Sequence, residues 1–186
     1  LEIQIRNLVA DSDLDWEALV ETGRNAGVVA VANHNAEQQI VITGAPAAVS
    51  GVANAASAQG ARAIPLKVSG AWHSDLIKGA EDEFRAFLNT FQFGSPTHTI
   101  IHNVTADSCD DPKAIQRLMA LQLCSPVRWY DTIRRLVSEK VDVFVEVGQG
   151  KVLTGLLKKI VAPDYVHSVY SVSDMKSLEA LVAGLA

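Results

Sequence analysis

The sequence predicts an α/β protein built in two parts, and three observations support this prediction. Residues 1–68 alternate strand-like and helix-like patterns in the order β-α-β-β-α-β. Residues 69–186 then alternate helical stripes with short apolar runs, as in a parallel sheet covered by helices. The 186 residues are 48% hydrophobic and 20% charged, which allows a sizeable core and excludes a disordered chain.

The first part is predicted from the period of its apolar residues and from its breaks. In order, we expect a strand at 1–9, a helix at 14–25, strands at 28–32 and 39–43, a helix at 46–59 and a strand at 63–68. Asp11, Ser12 and Asp13 supply N-cap chemistry for the first helix. The polar run Asn33-His34-Asn35 is interpreted as the turn of a hairpin. This element order predicts a ferredoxin-like subdomain at 1–68.

The second part, residues 69–186, is predicted in the same way. We expect helices at 73–93, 111–124, 129–139, 151–160 and 175–185, with strands at 99–104, 141–147 and 166–170. The run at 141–147 is apolar throughout, which is typical of the interior of a parallel sheet. These alternating units predict a parallel α/β layer with about three strands.

Charge and cysteine content exclude several classes of protein. The formal net charge is −5, which argues against a dedicated nucleic-acid binder. No apolar run approaches the ~20 residues that cross a bilayer, and no secretory leader is recognisable. Cys109 and Cys124 form neither a C-x-x-C pair nor a metal-ligand pattern. We therefore expect a cytoplasmic protein with no metal, no nucleic-acid partner and no membrane contact.

His73 is the strongest candidate for catalysis among the five histidines. It follows a predicted strand, and strand ends in α/β sheets collect catalytic groups. A neutral imidazole there can act as a general base, although a helix-start residue that caps backbone groups is the simpler alternative. The G-x-S-x-G nucleophile elbow is absent, since the only glycines at that spacing, Gly23 and Gly27, flank Asn25. If His73 is a base, its nucleophile lies outside this chain.

The run Gly148-Gln149-Gly150-Lys151 resembles a phosphate loop only superficially. A Walker A loop requires glycine where Val145 stands, and a dinucleotide fingerprint requires glycine at Leu153. We interpret the run as a tight strand-to-helix turn, with anion binding at the helix N-terminus as a secondary possibility.

Four stretches of the chain match, in order, four motifs of a single family. Residues 33–44 match an N-x-N…Q-x-V-I-x-G hairpin, and residues 68–74 match a G-A-F-H-S segment. Residues 122–129 match Q-L-x-x-P-V-x-W, and residues 146–155 match E-V-G-P-G-x-V-L-T-G with Gln149 in place of proline. With these motifs the chain resembles the malonyl-CoA:acyl carrier protein transacylases and related acyltransferase domains. The chain begins at Leu1 without a methionine, so we expect it to be the C-terminal part of such a protein.

The resemblance implies a fold and a set of site residues. The fold is a ferredoxin-like subdomain inserted in an α/β-hydrolase-like domain, whose C-terminal part would occupy residues 69–186. His73 would be the base of a Ser-His dyad, oriented by the backbone carbonyl of Gln122. Trp72, Asn33 and Asn35 would bind substrate, and Trp72 is compatible with malonyl preference because malonyl-selective relatives often carry Phe there.

The resemblance also implies a reaction and its partners. A malonyl or similar acyl group would pass from CoA to the phosphopantetheine thiol of acyl carrier protein through an acyl-serine, in fatty-acid or polyketide biosynthesis. CoA and phosphopantetheine are then substrates, and no cofactor is implied. The serine belongs to the family's N-terminal half, so this chain alone is expected to be incomplete and inactive. Two alternatives stay open: a non-catalytic module that binds a carrier protein or partner subunit, and a free-standing ferredoxin-like ligand-binding domain.

Overall fold

The computed structural model describes residues 1–8 and 14–185, which contain eight strands and seven α-helices. The strands are β1 Glu2–Arg6, β2 Val29–Ala36, β3 Gln39–Gly44, β4 Arg62–Pro65, β5 Ile101–His102, β6 Asp107–Ser108, β7 Val143–Val147 and β8 Ser168–Val172. The helices are α1 Trp16–Glu21, α2 Pro46–Ala58, α3 Lys78–Leu88, α4 Pro112–Leu121, α5 Trp129–Ser138, α6 Val152–Ile160 and α7 Met175–Leu185. Short 3₁₀ helices span Arg24–Ala26 and Asp75–Ile77.

The chain divides into two compact units, Leu1–Thr132 and Ile133–Ala186. The first unit is built on an antiparallel sheet with the strand order β2-β3-β1-β4. The predicted β-α-β-β-α-β order of elements is confirmed in this sheet and its two helices, α1 and α2.

The core of the first unit lies between this sheet and helix α2. Ile5, Ile40 and Ile42 on the two central strands are at most 1% exposed, and they pack in one cluster with α2 residues such as Val49 and Val52. All six residues of β3 are buried, and its three consecutive apolar residues, Ile40, Val41 and Ile42, lie in the middle of the strand. Helix α2 begins at Pro46, where the missing N–H of proline costs nothing.

Helix α1 is shorter than predicted and has a different cap. The Asp15 side chain accepts a hydrogen bond from the Ala18 N–H at 2.9 Å, which makes Asp15 the N-cap. The predicted capping residues 11–13 lie outside the described residues.

The hairpin turn predicted at Asn33-His34-Asn35 is wrong, because these residues belong to strand β2. The strand continues to Ala36, which pairs with Gln39, so that Glu37 and Gln38 form the turn. Two register shifts interrupt the pairing of β2 with β3 on this polar stretch. The polar residues are accommodated because β2 is an edge strand of the sheet.

Three further predictions of local structure also need correction. The helix predicted from residue 73 starts five residues later, at Lys78, after a 3₁₀ turn. The strand predicted at 99–104 is reduced to Ile101–His102, which forms a two-residue antiparallel pair with Asp107–Ser108. In the first strand the apolar residues Leu1, Ile3 and Ile5 alternate with polar ones, which predicts that Glu2 faces solvent, but Glu2 is only 6% exposed.

The second unit contains the parallel pair β7–β8 with helices α6 and α7. Val143 pairs with Ser168 and Val147 with Val172 along the whole length of both strands. Helix α7 packs on β8. We predicted a parallel layer of about three strands. In the described part of the chain, only two strands, β7 and β8, pair in parallel.

Candidate active site

His73 lies in the loop that follows β4 and has an unusual backbone conformation. Its φ angle is +60°, in the left-handed region that few residues other than glycine adopt. The backbone N–H of His73 donates a hydrogen bond of 2.9 Å to the carbonyl of Leu123, in the segment after α4. A strained conformation of this kind persists only where neighbouring contacts hold it, and such residues cluster at functional sites.

The His73 ring is held by two carbonyls of the same segment. Nδ1 lies 2.9 Å from the carbonyl oxygen of Gln122 and 3.0 Å from that of Ser125. A carbonyl oxygen only accepts hydrogen bonds, so Nδ1 carries the ring proton in the neutral imidazole. The lone pair is therefore on Nε2, which is the atom able to take a proton from an incoming hydroxyl or thiol.

The Gln122 carbonyl is free to accept this bond because helix α4 ends there. Gln122 is the C-cap of α4, and the last carbonyls of a helix have no partner within it. These carbonyls also carry the negative end of the helix dipole. Ser125 precedes Pro126 and so leaves the helical path, which turns its carbonyl toward the same ring.

Trp72 is anchored through its backbone rather than its ring. Its N–H donates a 3.1 Å hydrogen bond to the Glu2 carboxylate, whereas the side chain is 48% exposed. The buried Glu2 carboxylate also accepts a bond from the Thr43 hydroxyl at 3.4 Å. Glu2 thus ties the loop that carries His73 to the central strands. Sequence reasoning missed this residue because the alternation of the strand placed it on the solvent side.

Asn33 reaches the segment that holds the His73 ring, through the backbone. Asn33 forms a parallel bridge with Val127. The Val127 N–H donates to Ala32 at 2.8 Å, and the His34 N–H donates to Val127 at 2.9 Å. Asn35 lies two residues further along β2. The edge of the first sheet at Asn33 is therefore joined to Val127, two residues after Ser125, and no contact of this kind is found for Asn35 among the described residues.

Ser74, the serine next to His73, has a structural task. Its hydroxyl donates to the Ala71 carbonyl at 2.7 Å and accepts from the Leu76 N–H at 3.4 Å, and the residue is 1% exposed. It caps the 3₁₀ turn Asp75–Ile77. Its buried hydroxyl is therefore occupied and is not the nucleophile that His73 would activate.

In the second unit, the glycine-containing run forms the predicted tight turn between β7 and α6. Glu146 of β7 accepts hydrogen bonds from the N–H groups of Leu153 and Thr154, at 3.0 and 2.8 Å. A carboxylate of the chain thus occupies the N-terminus of α6. Anion binding at that helix end, the secondary possibility, is disfavoured because these donors are already used.

We expect a pH-dependent loss of stability in Glu146→Gln. Hydrogen bonds from the Thr154 side chain and backbone, and from Leu153, hold the pKa of Glu146 below its usual range. A depressed folded-state pKa means that the stabilisation is present above the unfolded-state pKa and is lost as the pH falls through the folded-state value. Urea unfolding should show a lower free energy of unfolding for the variant at pH 7 and a shrinking difference in acid. Exposed Glu179→Gln is the control, and a difference independent of pH would contradict this role for the carboxylate.

The described residues contain no group of three His, Cys, Asp or Glu side chains placed to hold a metal ion. None of the helices in that part of the chain is long and apolar enough to cross a membrane.

Known proteins resemble this chain in sequence and in fold. A family model described as an acyl transferase domain matches residues 6–182. The malonyl CoA-acyl carrier protein transacylase of Staphylococcus aureus is 35% identical over 177 residues, which cover 92% of this chain and 58% of that protein. The crystal structure of an acyl-carrier-protein S-malonyltransferase from Bartonella henselae superposes with a TM-score of 0.87 at 31% identity, covering 99% of this chain and 57% of that one.

A complex of a type II PKS acyl-carrier protein with its malonyl-transacylase matches with a TM-score of 0.86 at 31% identity, over 98% of this chain and 58% of that one. In each comparison the chain spans less than three-fifths of the length of its relative.

Proposed function

The chain belongs to the acyl transferase domain family, and from this premise we propose that it carries the general-base side of a malonyl-CoA:acyl carrier protein transacylase. The observation that carries the proposal is the His73 ring, whose Nδ1 is fixed by the carbonyls of Gln122 and Ser125. This arrangement leaves Nε2 able to accept a proton, as a dyad base requires.

The proposed reaction has two matched steps at a serine supplied by the part of the enzyme outside this chain. The serine hydroxyl gives its proton to Nε2 of His73 while its oxygen attacks the malonyl thioester, and the CoA sulfur leaves with that proton. The phosphopantetheine thiol of the carrier protein then gives its proton to Nε2 and attacks the malonyl-serine. The serine oxygen leaves and recovers the proton, so the enzyme returns to its starting state.

The other site residues have supporting roles in this proposal. Gln122 orients the imidazole through its carbonyl, which also favours the charge that the ring gains in each step. Trp72 presents a half-exposed indole beside His73 as a wall for the acyl group. Asn33 and Asn35, on the neighbouring edge strand, bind substrate.

The proposed domain description follows the same premise. Residues 1–68 form a ferredoxin-like subdomain, supported by the strand order β2-β3-β1-β4. Residues 69–186 form the C-terminal part of an α/β-hydrolase-like catalytic domain. The compact units divide after Thr132 instead, because the segment around Val127 pairs with strand β2 and joins residues beyond 68 to the first sheet.

Acyl carrier protein and malonyl-CoA are the proposed partners, in fatty-acid or polyketide biosynthesis. The test uses the full-length protein that contains this chain, with radiolabelled malonyl-CoA and holo-acyl carrier protein. We expect label to pass through a protein-bound ester to the carrier, and carrier protein without its phosphopantetheine arm should receive none. Binding of the carrier protein with no transfer of label would favour the alternative of a non-catalytic module.

A further inference from the structure

Strand β1 carries a buried carboxyl group that the proposed reaction does not use. Glu2 is 6% exposed, and its carboxyl group forms no ion pair among the described residues. The backbone of Glu2 is held on both sides, because it pairs with Thr43 of β3 and its carbonyl accepts the Leu66 N–H at 3.0 Å. The side chain therefore projects from a fixed place on one of the two central strands of the sheet.

Both hydrogen bonds to the Glu2 carboxyl group go to the same oxygen atom. Oε1 accepts the backbone N–H of Trp72 at 3.1 Å and the hydroxyl of Thr43 at 3.4 Å. Burial of a polar group is unfavourable unless it is hydrogen-bonded, and these two donors satisfy Oε1. The shorter of the two bonds comes from the loop that carries His73, from a residue 70 positions away in the sequence.

The Trp72 N–H belongs to a peptide group that is held at both of its polar ends. The carbonyl of the same peptide group, that of Ala71, accepts the Ser74 hydroxyl at 2.7 Å. Because a peptide group is planar, bonds to its N–H and to its C=O together fix its plane. The bond from Ser74 closes the backbone around His73, and the bond to Glu2 attaches this closed loop to the sheet.

The closed loop includes the strained backbone of His73. A φ of +60° is disfavoured for a residue with a Cβ and persists only where neighbouring contacts hold it. The His73 N–H is held by the Leu123 carbonyl at 2.9 Å, and the peptide group before it is held by Glu2 and Ser74. Removal of the Glu2 acceptor frees one end of that peptide group, so that the left-handed conformation can relax.

We propose that Glu2 is a positioning residue for His73: its Oε1 atom fixes the peptide group before His73 and so keeps the imidazole within reach of the carbonyls of Gln122 and Ser125. The proposal rests on the proposed role of His73 as the base. Glu2 acts through the backbone and takes no part in proton transfer.

The test compares Glu2→Met, Glu2→Gln and Glu2→Asp in the full-length protein that contains this chain. Methionine has nearly the size of glutamate but no oxygen, and we expect kcat for malonyl transfer to fall about 10–100-fold, because small displacements of a catalytic group are costly. Glutamine keeps one oxygen that can accept both hydrogen bonds, so Glu2→Gln should retain most of kcat. Aspartate keeps the carboxyl group but is one methylene shorter, so Glu2→Asp should resemble Glu2→Met.

Two further variants are matched to these three. Glu17→Met makes the same replacement at an exposed position of α1 and should behave as the parent protein. Thr43→Val removes the longer bond to Oε1 and leaves the bond from Trp72 in place, so it should lose less kcat than Glu2→Met.

The tautomer of His73 reports positioning without turnover. ¹⁵N NMR of the ring should show Nδ1 protonated in the parent protein and in Glu2→Gln, and a mixture of tautomers in Glu2→Met and Glu2→Asp. A purely structural role for Glu2 would lower the free energy of unfolding of Glu2→Met and leave the tautomer of its folded state unchanged.

The outcomes separate this proposal from the proposed function. Shifted tautomers in a protein that transfers no malonyl group would support positioning and overturn the transacylase function. An unchanged tautomer in Glu2→Met and Glu2→Asp overturns positioning, whether or not kcat falls. Equal losses of kcat in Glu2→Gln and Glu2→Met also overturn it, because glutamine keeps the acceptor. If Glu2→Met does not fold, Glu2→Asp decides the matter because it keeps a polar group at the buried position.

Discussion

Replacement of His73 should abolish most of the acyl transfer while leaving the fold in place. General-base catalysis contributes about 10²–10⁴-fold, so transfer in the complete enzyme should fall by at least that factor in His73→Ala. The same factor should apply to formation of the malonyl-enzyme, because the first step already needs Nε2 to accept the serine proton. The measurement is the burst of labelled enzyme after rapid mixing with malonyl-CoA, followed by transfer to the carrier protein.

The positive φ of His73 calls for a second variant. Alanine is disfavoured in the left-handed region, so His73→Ala changes the backbone energy as well as the chemistry. Asparagine tolerates that region and has no basic nitrogen, so His73→Asn should lose as much transfer with less strain. Exposed His98→Ala is the control and should retain full activity. Near-normal malonyl-enzyme formation in His73→Asn would remove His73 from the mechanism.

The parts of the fold that could be predicted from the sequence are those fixed by local patterns. Helix α2 was predicted almost to the residue, since Pro46 marks its start and Gly60 follows its end. The contact between His73 and Gln122 was expected from the family resemblance, and the carbonyl of Gln122 lies 2.9 Å from the ring.

The wrong predictions of local structure concern residues whose conformation or burial depends on contacts with segments distant in the sequence. The Asn33–Asn35 stretch is polar enough for a turn, yet it extends as a strand because Val127 pairs with its outer edge. Glu2 is polar in an alternating strand, yet it is buried because the loop of Trp72 lies over it and donates to it. No periodicity within either segment carries this information, since the partner is about 70 to 95 residues away in the sequence.

The Ser125 carbonyl, which the sequence did not predict as part of the candidate site, also reaches it through a contact between segments that are distant in the sequence. Any residue at position 125 would offer a backbone carbonyl, so the side chain of Ser125 gives no indication of this contact. The only indication in the sequence is the proline that follows, which restricts the backbone of Ser125. A reacting side chain such as His73 is thus easier to identify from sequence patterns than the backbone groups that orient it.

We expect Gly44 to be the position in the first sheet where a single added methyl group lowers the free energy of unfolding most. Gly44 ends strand β3 with φ +148° and pairs with Val29 across the hairpin. A Cβ built on it meets the carbonyl oxygen of Val28 and lies 2.8 Å from the Cα of Val29, so the clash is with backbone that cannot rotate away. This close approach gives a physical reason for the glycine that closes the hairpin motif.

Gly44→Ala should therefore lower the free energy of unfolding by about 3 kcal/mol or more, from a disfavoured φ combined with overpacking. Gly51→Ala is the matched control, because Gly51 lies inside helix α2 and an added Cβ there meets nothing within 4 Å. Alanine exceeds glycine in helix propensity, so this control should raise the free energy of unfolding by about 0.5–1 kcal/mol. Urea denaturation followed by circular dichroism measures both. Equal stabilities for the two variants would show that the β2–β3 hairpin relaxes around the added methyl group, and that the close approach at Gly44 does not constrain the sheet.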